Sequence, residues 1–511
     1  MTELNFKGKE FVWNHHLTVP FRPLEPHPEK GIGEPALDGN LVIHGDNLHA
    51  LKALLPTYAG KVDCVFIDPP YNTGNEGWCY NDNVNAPMIR EWLEANPIGI
   101  EDGLRHDKWC AMMWPRLRLL HELLADNGSL WITLDDHEAQ RAKLMLDEIF
   151  GEEGFDANII WQKKYTVSAD HTGIAPMHDH LLVYSKCDWV RNKLKRSATK
   201  DAAYRFEDEN GVFRVSDYTC NKNSDERPNL YYPITNPNTG EECWPSKTRV
   251  WGYGPEAHAE NERNGLVWWG ADGKAKTPSF KRYRHLLKDG GKIVPGTIWD
   301  WEFAGHTDTA RKELFQVLPD LDPRDASITP KPTSLINRVL EVATHQNSLV
   351  LDSFAGSAST AHAVLEANRR DGGNRRFILT EMENYADRLT AERVRRVING
   401  YAFTGTQRTE LLRAKLSWSK LTKAENLTEQ VEKIENLHRH EYDAIKKAVK
   451  DGELIVTGEK RVEERAEGLG GTFTYCTLGP PIELDKILTG EALPEWEALG
   501  AVLFHAATLK P

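Results

Sequence analysis

The chain of 511 residues has no apolar run long enough to cross a bilayer. Its amino terminus, MTELNFKGKEF, is polar where a secretory leader needs an apolar core. The expectation is a protein that stays in the cytoplasm, without a membrane partner. Seven cysteines are scattered, odd in number and never in a C-x-x-C pair. That excludes a disulfide framework and a zinc ribbon and leaves reduced core residues. Basic residues are not in excess: 63 Lys and Arg face 76 Asp and Glu, a net charge of -13. This counts against nucleic-acid binding over the whole surface, but not against a local basic groove, because the field in a cleft follows the nearby charges. There is no G-K-[ST] phosphate loop, no complete G-x-G-x-x-G and no internal repeat.

What is present is a grammar of short strands and helices. Residues 1–40 are rich in Pro and Gly and read as an irregular arm. From 41 to 154, "LVIHGDN", "VDCVFID" and "NGSLWITLDD" read as strands. "LHALKALLP", ending at Pro56, the amphipathic "WCAMMWPRLRLLHELLA" and "EAQRAKLMLDEIFG" read as helices. From 155 to 325 this alternation is lost. "NIIWQKK" and "HLLVYSK" are strands, and aromatic, Gly-, Pro- and charge-rich text follows, as in an inserted, irregular β-rich domain. The α/β pattern returns over 326–404 in "SLINRVLEVAT", "SLVLDSFAGSAST", "AHAVLEAN", "RRFILTEM" and "ADRLTAERVRRVI". Residues 405–511 read as an extension, charged and helical through "LTEQVEKIENLHRHEYDAIKKAVK" and closing in strands such as "TFTYCTL". The fold class is α/β, a mostly parallel sheet with helices on both faces.

Two strand ends carry chemistry. In "CVFIDPPY" a buried strand stops on Asp68-Pro69-Pro70-Tyr71. A strand and turn explain the prolines but not the acid and the ring. An amino nitrogen on a heteroaromatic ring is a poor nucleophile, because its lone pair is delocalised. Acceptors on its hydrogens stabilise the positive charge that grows as a bond forms. Asp68 supplies one acceptor, a proline-fixed carbonyl the other, and Tyr71 a face to stack on. In "VLDSFAGSAST" a strand runs through Asp352 and Phe354 into Gly356 and Ser357. Ligands of open α/β sheets bind outside such strand ends, and a glycine lets backbone approach them. The next strand ends on Glu381, where an acid meets a ribose with free hydroxyls. A cofactor with a ribose and an amino-acid part, and no phosphate, fits this loop.

Together, "DPPYNTG" and "LDSFAGSAST" resemble the catalytic motif and cofactor loop of amino-methyltransferases that use S-adenosylmethionine. The order, catalytic motif first and cofactor loop after a long middle region, resembles the permuted β-class of adenine-N6 DNA methyltransferases. "WLEANP", "IIWQKK", "HDHLLVYSK", "VPGTIWDWEFAGHTDTARKEL" and "TPKPTSLINRVL" are similar to the modification subunits of type III restriction systems. The resemblance implies a Rossmann-like methyltransferase sheet in permuted order, with 155–325 as the target-recognition insert. It implies that Asp68, Pro69, Pro70 and Tyr71 hold the target amine, and that Asp352, Phe354, Gly356 and Ser357 line the cofactor pocket. Glu381 would bind the cofactor ribose, Asp46 would face its adenine, and Lys331-Pro332 would border its methionine part. The implied partners are double-stranded DNA, a restriction (nuclease/helicase) subunit and a second copy of the chain. One departure is Ala358, where the family often has a second glycine.

Other readings stay in view. Cytosine N4 is the same chemistry, for which Ser is more usual at position 68. RNA or a protein glutamine are further targets, and a DNA-binding scaffold without activity is a reading of another class. Asp135-Asp136 reads as a helix cap. His178 and His180 lack the further ligands of a metal site. The charge run 423–449 reads as a solvated helix. "KCDWVRNKLKRSATK" and "SFKRYRHLLKDGGK", with basic and aromatic residues interleaved, read as DNA-facing.

Overall fold

A computed structural model describes residues 3–73, 103–167, 173–196, 201–322, 328–418, 422, 424–450, 452–483 and 496–508. The "WLEANP" segment, Gly74 of "DPPYNTG" and the end of "RNKLKRSATK" lie outside the described residues. The chain divides into two compact units, Met1–Arg191 with Gly296–Pro511, and Asn192–Pro295.

The first unit is built on one ten-stranded sheet. Its strands are β1 (Leu24–Pro26), β2 (Leu41–His44), β3 (Val62–Ile67), β4 (Leu124–Leu134), β5 (Phe155–Gln162), β6 (His178–Ser185), β15 (Ile298–Trp299), β16 (Leu349–Asp352), β17 (Arg376–Glu381) and β21 (Thr474–Leu478). Their order is β1-β21-β2-β17-β16-β3-β4-β6-β5-β15. β21, β2, β17, β16, β3 and β4 run parallel; β6 is antiparallel to both β4 and β5, so β5 and β15 again point the same way as β3. The central strands are near-continuous apolar runs because helices cover both faces. The decisive pairing is β16 with β3, Val350 opposite Cys64 and Leu351 opposite Val65. It brings two distant stretches of chain side by side.

Several expectations need correction. Residues 1–40 are irregular only in part. Short helices at Lys9–Val12 and His15–Thr18 lie against the helix Arg105–Leu123, and Trp13 stacks on Trp114 at 4.8 Å. This cover is why Arg105–Leu123 is buried on nearly every side instead of being amphipathic. The helix from Asn47 runs on to Tyr58, since Pro56 in its last turn gives up only one helical N–H. The compact inserted unit is narrower than 155–325, because the β5–β6 hairpin and β15 extend the main sheet. In the tail, β18 (Gly400–Lys415), β19 (Ala444–Lys450) and β20 (Glu453–Glu467) form an antiparallel sheet. The expected helix is confined to Ala424–His438, and "AIKKAVK" is β19, whose backbone groups pair with β20.

The second unit holds β7 (Phe206–Asp208), β8 (Gly211–Asp217), β13 (Val267–Trp268) and β14 (Ser279–Tyr283) in one four-stranded sheet, order β13-β14-β8-β7. Two small ladders join β9 (Thr219–Cys220) to β12 (Val250–Trp251), and β10 (Ile234–Thr235) to β11 (Glu242–Cys243). Tyr218, Ile234, Trp251 and Trp269 form its core. Among the described residues no helix is long and apolar enough to cross a membrane.

Candidate active site and cofactor cleft

Parallel strands deliver their carboxyl ends to one rim. Asp46 follows β2, Glu381 ends β17, Asp352 ends β16, and Asp68 follows β3. All four expected acids therefore stand on neighbouring strands.

Asp68 is half-buried and fully engaged. Its Oδ1 accepts from Thr133 Oγ1 at 2.5 Å, and its Oδ2 from Lys331 Nζ at 2.5 Å. Lys331 also lies over the Tyr71 ring, 4.9 Å from its centroid. Tyr71 donates its hydroxyl to Asp179 Oδ2 at 3.2 Å, and Asp179 Oδ1 accepts from Lys163 Nζ at 2.5 Å. Burial, with the nearby Asp68 and Asp179 carboxylates, pushes the Tyr71 phenol well above its ordinary range. Burial also raises the Asp179 carboxyl, against the pull of Lys331 and Lys163. Trp109 Nε1 donates to the Pro70 carbonyl at 2.7 Å. A carbonyl oxygen carries two lone pairs, so the bond aims the carbonyl without exhausting it.

Behind the motif, Asn72 is fully buried in the left-handed region, φ 59°. Asparagine tolerates that region because its short polar side chain can bond locally. Its Nδ2 bonds the Glu138 carboxylate and the Arg105 carbonyl. Thr133, Asp179, Lys163, Trp109 and Asn72 were not singled out from the sequence. Only Asn72 carried a signal, as the residue directly after the motif; the others are brought in from distant strands and helices.

The glycine loop is equally constrained. Asp352 accepts from Phe354 N at 3.0 Å and Thr360 Oγ1 at 2.5 Å, and burial raises its carboxyl to about 7. Glu381 accepts from Gly356 N at 2.7 Å and Glu383 N at 2.9 Å, and burial lifts it to about 7 as well. Each Glu381 oxygen keeps a lone pair for a further donor. Gly356 has φ 48°, and a Cβ there would meet only the Phe354 carbonyl oxygen at 4.0 Å, so the space in front of it is open. The buried Ser353 hydroxyl has no hydrogen-bond partner among the described residues. Open space at the glycine, an orphaned hydroxyl and two strand-end acids fit a ligand with a ribose and an amine. Ala358 adopts φ 60°, the angle its family's glycine would take freely; an alanine pays roughly 1–2 kcal/mol there.

Asp46 caps the helix Asn47–Tyr58 through Leu48 N at 2.8 Å and has Arg116 Nη2 at 3.5 Å. Asp135 accepts from His137 N at 2.9 Å, and Asp136 pairs with His180 Nε2 at 2.9 Å, so neither caps the following helix directly. Asp136, His178 and His180 place ligand atoms within 4.8 Å of one another. Asn158 also bonds His180 Nδ1, at 3.1 Å, so ordinary hydrogen bonds account for both nitrogens of that ring.

The Asp68–Tyr71 motif and the glycine loop thus end adjacent parallel strands of one open α/β sheet. The chain belongs to the N6/N4 DNA methylase family, whose sequence model matches residues 62–392. It is 30% identical over 426 residues to the type III restriction-modification enzyme StyLTI Mod subunit of Salmonella typhimurium, covering 77% of this chain and 62% of that one. It is 30% identical to the EcoPI Mod subunit of Escherichia phage P1, over 67% of this chain and 57% of that one. It is also 30% identical to the type II methyltransferase M.KpnI of Klebsiella pneumoniae, over 66% and 79%. The chain thus spans about three-fifths of the length of the type III relatives.

Proposed function

We propose that this chain methylates N6 of adenine at specific sites in double-stranded DNA in the cytoplasm, as the modification component of a restriction–modification system or as a solitary methyltransferase. The observation that carries the reading is the β3–β16 pairing, which sets Asp68 beside the Asp352–Ser357 loop. The names of the relatives support it. S-adenosylmethionine supplies an electrophilic methyl group when bound. Glu381 would accept from its ribose, Asp352 would face its amine, Gly356 and Ser357 would give it backbone room, and Phe354 and Asp46 would line the adenine side.

Adenine's amino group is paired inside the duplex, so the base must leave the stack to reach Asp68. Asp68 and the aimed Pro70 carbonyl accept its two amino hydrogens, and Tyr71 offers a ring face. In the structure Lys331 holds Asp68 Oδ2 and covers the Tyr71 ring. It must therefore move aside for the amine, and the nearest chemical use for it is the cofactor's carboxylate. Lys331→Met is expected to weaken cofactor binding roughly ten- to hundredfold, the worth of one charged hydrogen bond, measured by titration calorimetry. The Asn192–Pro295 unit would read the target sequence, with a restriction subunit and a second copy of the chain as partners.

Cofactor affinity should depend on pH. Asp352 and Glu381 at about 7 hold protons that the unfolded chain would release near pH 4. Their contribution to folding is fully present below the unfolded value and is lost as pH rises through about 7. Cofactor binding needs the ionised acceptor, so its slope is opposite. Affinity should rise roughly tenfold or more from pH 6 to pH 8 and then level, with a shallower rise in Glu381→Gln. A flat profile in the unmodified protein would remove Glu381 from the ribose site.

The reaction is tested by incubation with labelled cofactor and unmethylated DNA. Label in N6-methyladenine supports the reading. Label in N4-methylcytosine moves it to the sister chemistry, and cofactor binding without transfer makes the chain a scaffold.

A further inference from the structure

Beyond the amine pocket the same rim carries an exposed aromatic cluster that the methyl-transfer reading leaves unused. Tyr165 follows β5, Trp301 follows β15, and His306 starts the next helix. The rings pack on one another: Tyr165 to His306 at 5.0 Å, Tyr165 to Trp301 at 6.1 Å, and Trp301 to His306 at 6.0 Å between centroids. Yet Tyr165 is 52% and Trp301 38% exposed. Three rings gathered together, two of them exposed and His306 half-buried between helix and loop, mark a binding surface better than a core.

Their support is rigid. The Lys163 carbonyl accepts from Thr307 N and Oγ1, both at 3.1 Å, and Trp161 Nε1 bonds the Gly305 carbonyl at 2.9 Å. These bonds tie the loop after β5 to the loop after β15. The cluster is also wired to the pocket, since Lys163 pairs with Asp179, which holds Tyr71. β5 lies three strand spacings from β3, roughly 14 Å along the rim. That is too far for the ring held at Asp68, and within reach of the DNA opened around it. Lys164, exposed beside Tyr165, suits a phosphate.

We propose that Tyr165, Trp301 and His306 form a stacking platform for a second unstacked DNA base. The base is either a neighbour of the target adenine on its own strand or the partner left behind when the adenine leaves. The proposal rests on the reading of the chain as a DNA methyltransferase. Aromatic faces suit this occupant because every base presents a π-face, so stacking stabilises an opened duplex without restricting its sequence.

The test uses the full chain and duplexes carrying its recognition sequence, found by mapping methylation in a methylation-free host expressing it. 2-Aminopurine is placed singly at the target, at each flanking position and opposite the target. One non-target position should be quenched on binding to the unmodified protein and brightened in Trp301→Ala and Tyr165→Ala; which position it is distinguishes neighbour from partner. The same variants should raise KM for DNA roughly ten- to hundredfold, with cofactor affinity and melting temperature unchanged and Trp301→Phe restoring most of the loss. Variants that bind and methylate DNA like the unmodified protein, or show the same fluorescence at every position, overturn the platform and leave the methyltransferase reading intact. A host genome left unmethylated overturns the reaction, and the platform with it, before any fluorescence is measured.

Discussion

Asp68→Ala is expected to lower methyl transfer by roughly 10²–10³-fold or more, the usual loss when one group aimed at developing charge is removed. Cofactor affinity should stay within a few-fold. The first half follows from the role proposed for Asp68, an acceptor for the target amine at the end of β3, where Thr133 and Lys331 hold it. The second follows from the separation of the two pockets by strand. Asp352, Gly356 and Glu381, which would hold most of the cofactor, sit on β16, β17 and the loop between, and their hydrogen bonds do not pass through Asp68; Lys331 does bond Asp68, and the change to alanine would release its ammonium for the cofactor's carboxylate. Asp68→Asn keeps an oxygen for Thr133 but turns an amide N–H toward Lys331, so it should fall between Ala and the parent. Initial rates with tritiated cofactor, paired with calorimetry, read both halves. Loss of cofactor binding in Asp68→Ala would mean that the two pockets have been interchanged.

How much of this was legible in the sequence depends on distance along the chain. Local grammar carried the parallel sheet. "LVIH", "VDCVFI" and "LVLD" are apolar runs followed by helices, and they form β2, β3 and β16. The motif residues stood at strand ends, where ligands of such sheets bind. The tail misled because "AIKKAVK", rich in lysine beside a true helix, has composition suited to either state; its strand is decided by a partner, β20, that no local pattern announces. The supports of the site were hidden for the same reason. Lys163 and Asp179 are 16 residues apart, and neither is distinguishable from a surface charge until β5 and β6 pair. Arg393 was harder still. In "ADRLTAERVRRVI", read only as a helix, nothing sets it apart from the arginines beside it, yet it is fully buried.

That burial leads to the other large effect. The helix after β17 begins with a π-turn, Ala386–Ala391, a wide turn that recurs at functional sites. Thr390, within it, donates to the Gly356 carbonyl at 2.6 Å. Arg393, in the first turn of the following helix, reaches the Ser357 carbonyl at 3.1 Å, the Ser357 hydroxyl at 3.2 Å and the Ser359 hydroxyl at 2.9 Å. Its burial pulls the guanidinium down to about 10, and Glu313 and Glu366 oppose that shift. A buried cation bonded to one carbonyl and two hydroxyls of the glycine loop is a clamp, and it holds the loop that also carries the left-handed Ala358. Arg393→Ala should therefore cost about 3 kcal/mol or more, because several buried polar groups lose their partner at about 1–3 kcal/mol each. It should also weaken cofactor binding at least tenfold. Arg393→Lys should rescue only part of the loss, since one ammonium can take the place of Nη1 at the serines but cannot also reach His362 Nδ1, which Nη2 meets at 3.1 Å. Thr390→Val separates loop geometry from general stability. It removes one bond to Gly356 in a nearly isosteric change, so cofactor affinity should fall several-fold while the melting temperature moves by no more than a few degrees. If both variants bind cofactor as the parent does, the π-turn holds the helix and not the loop.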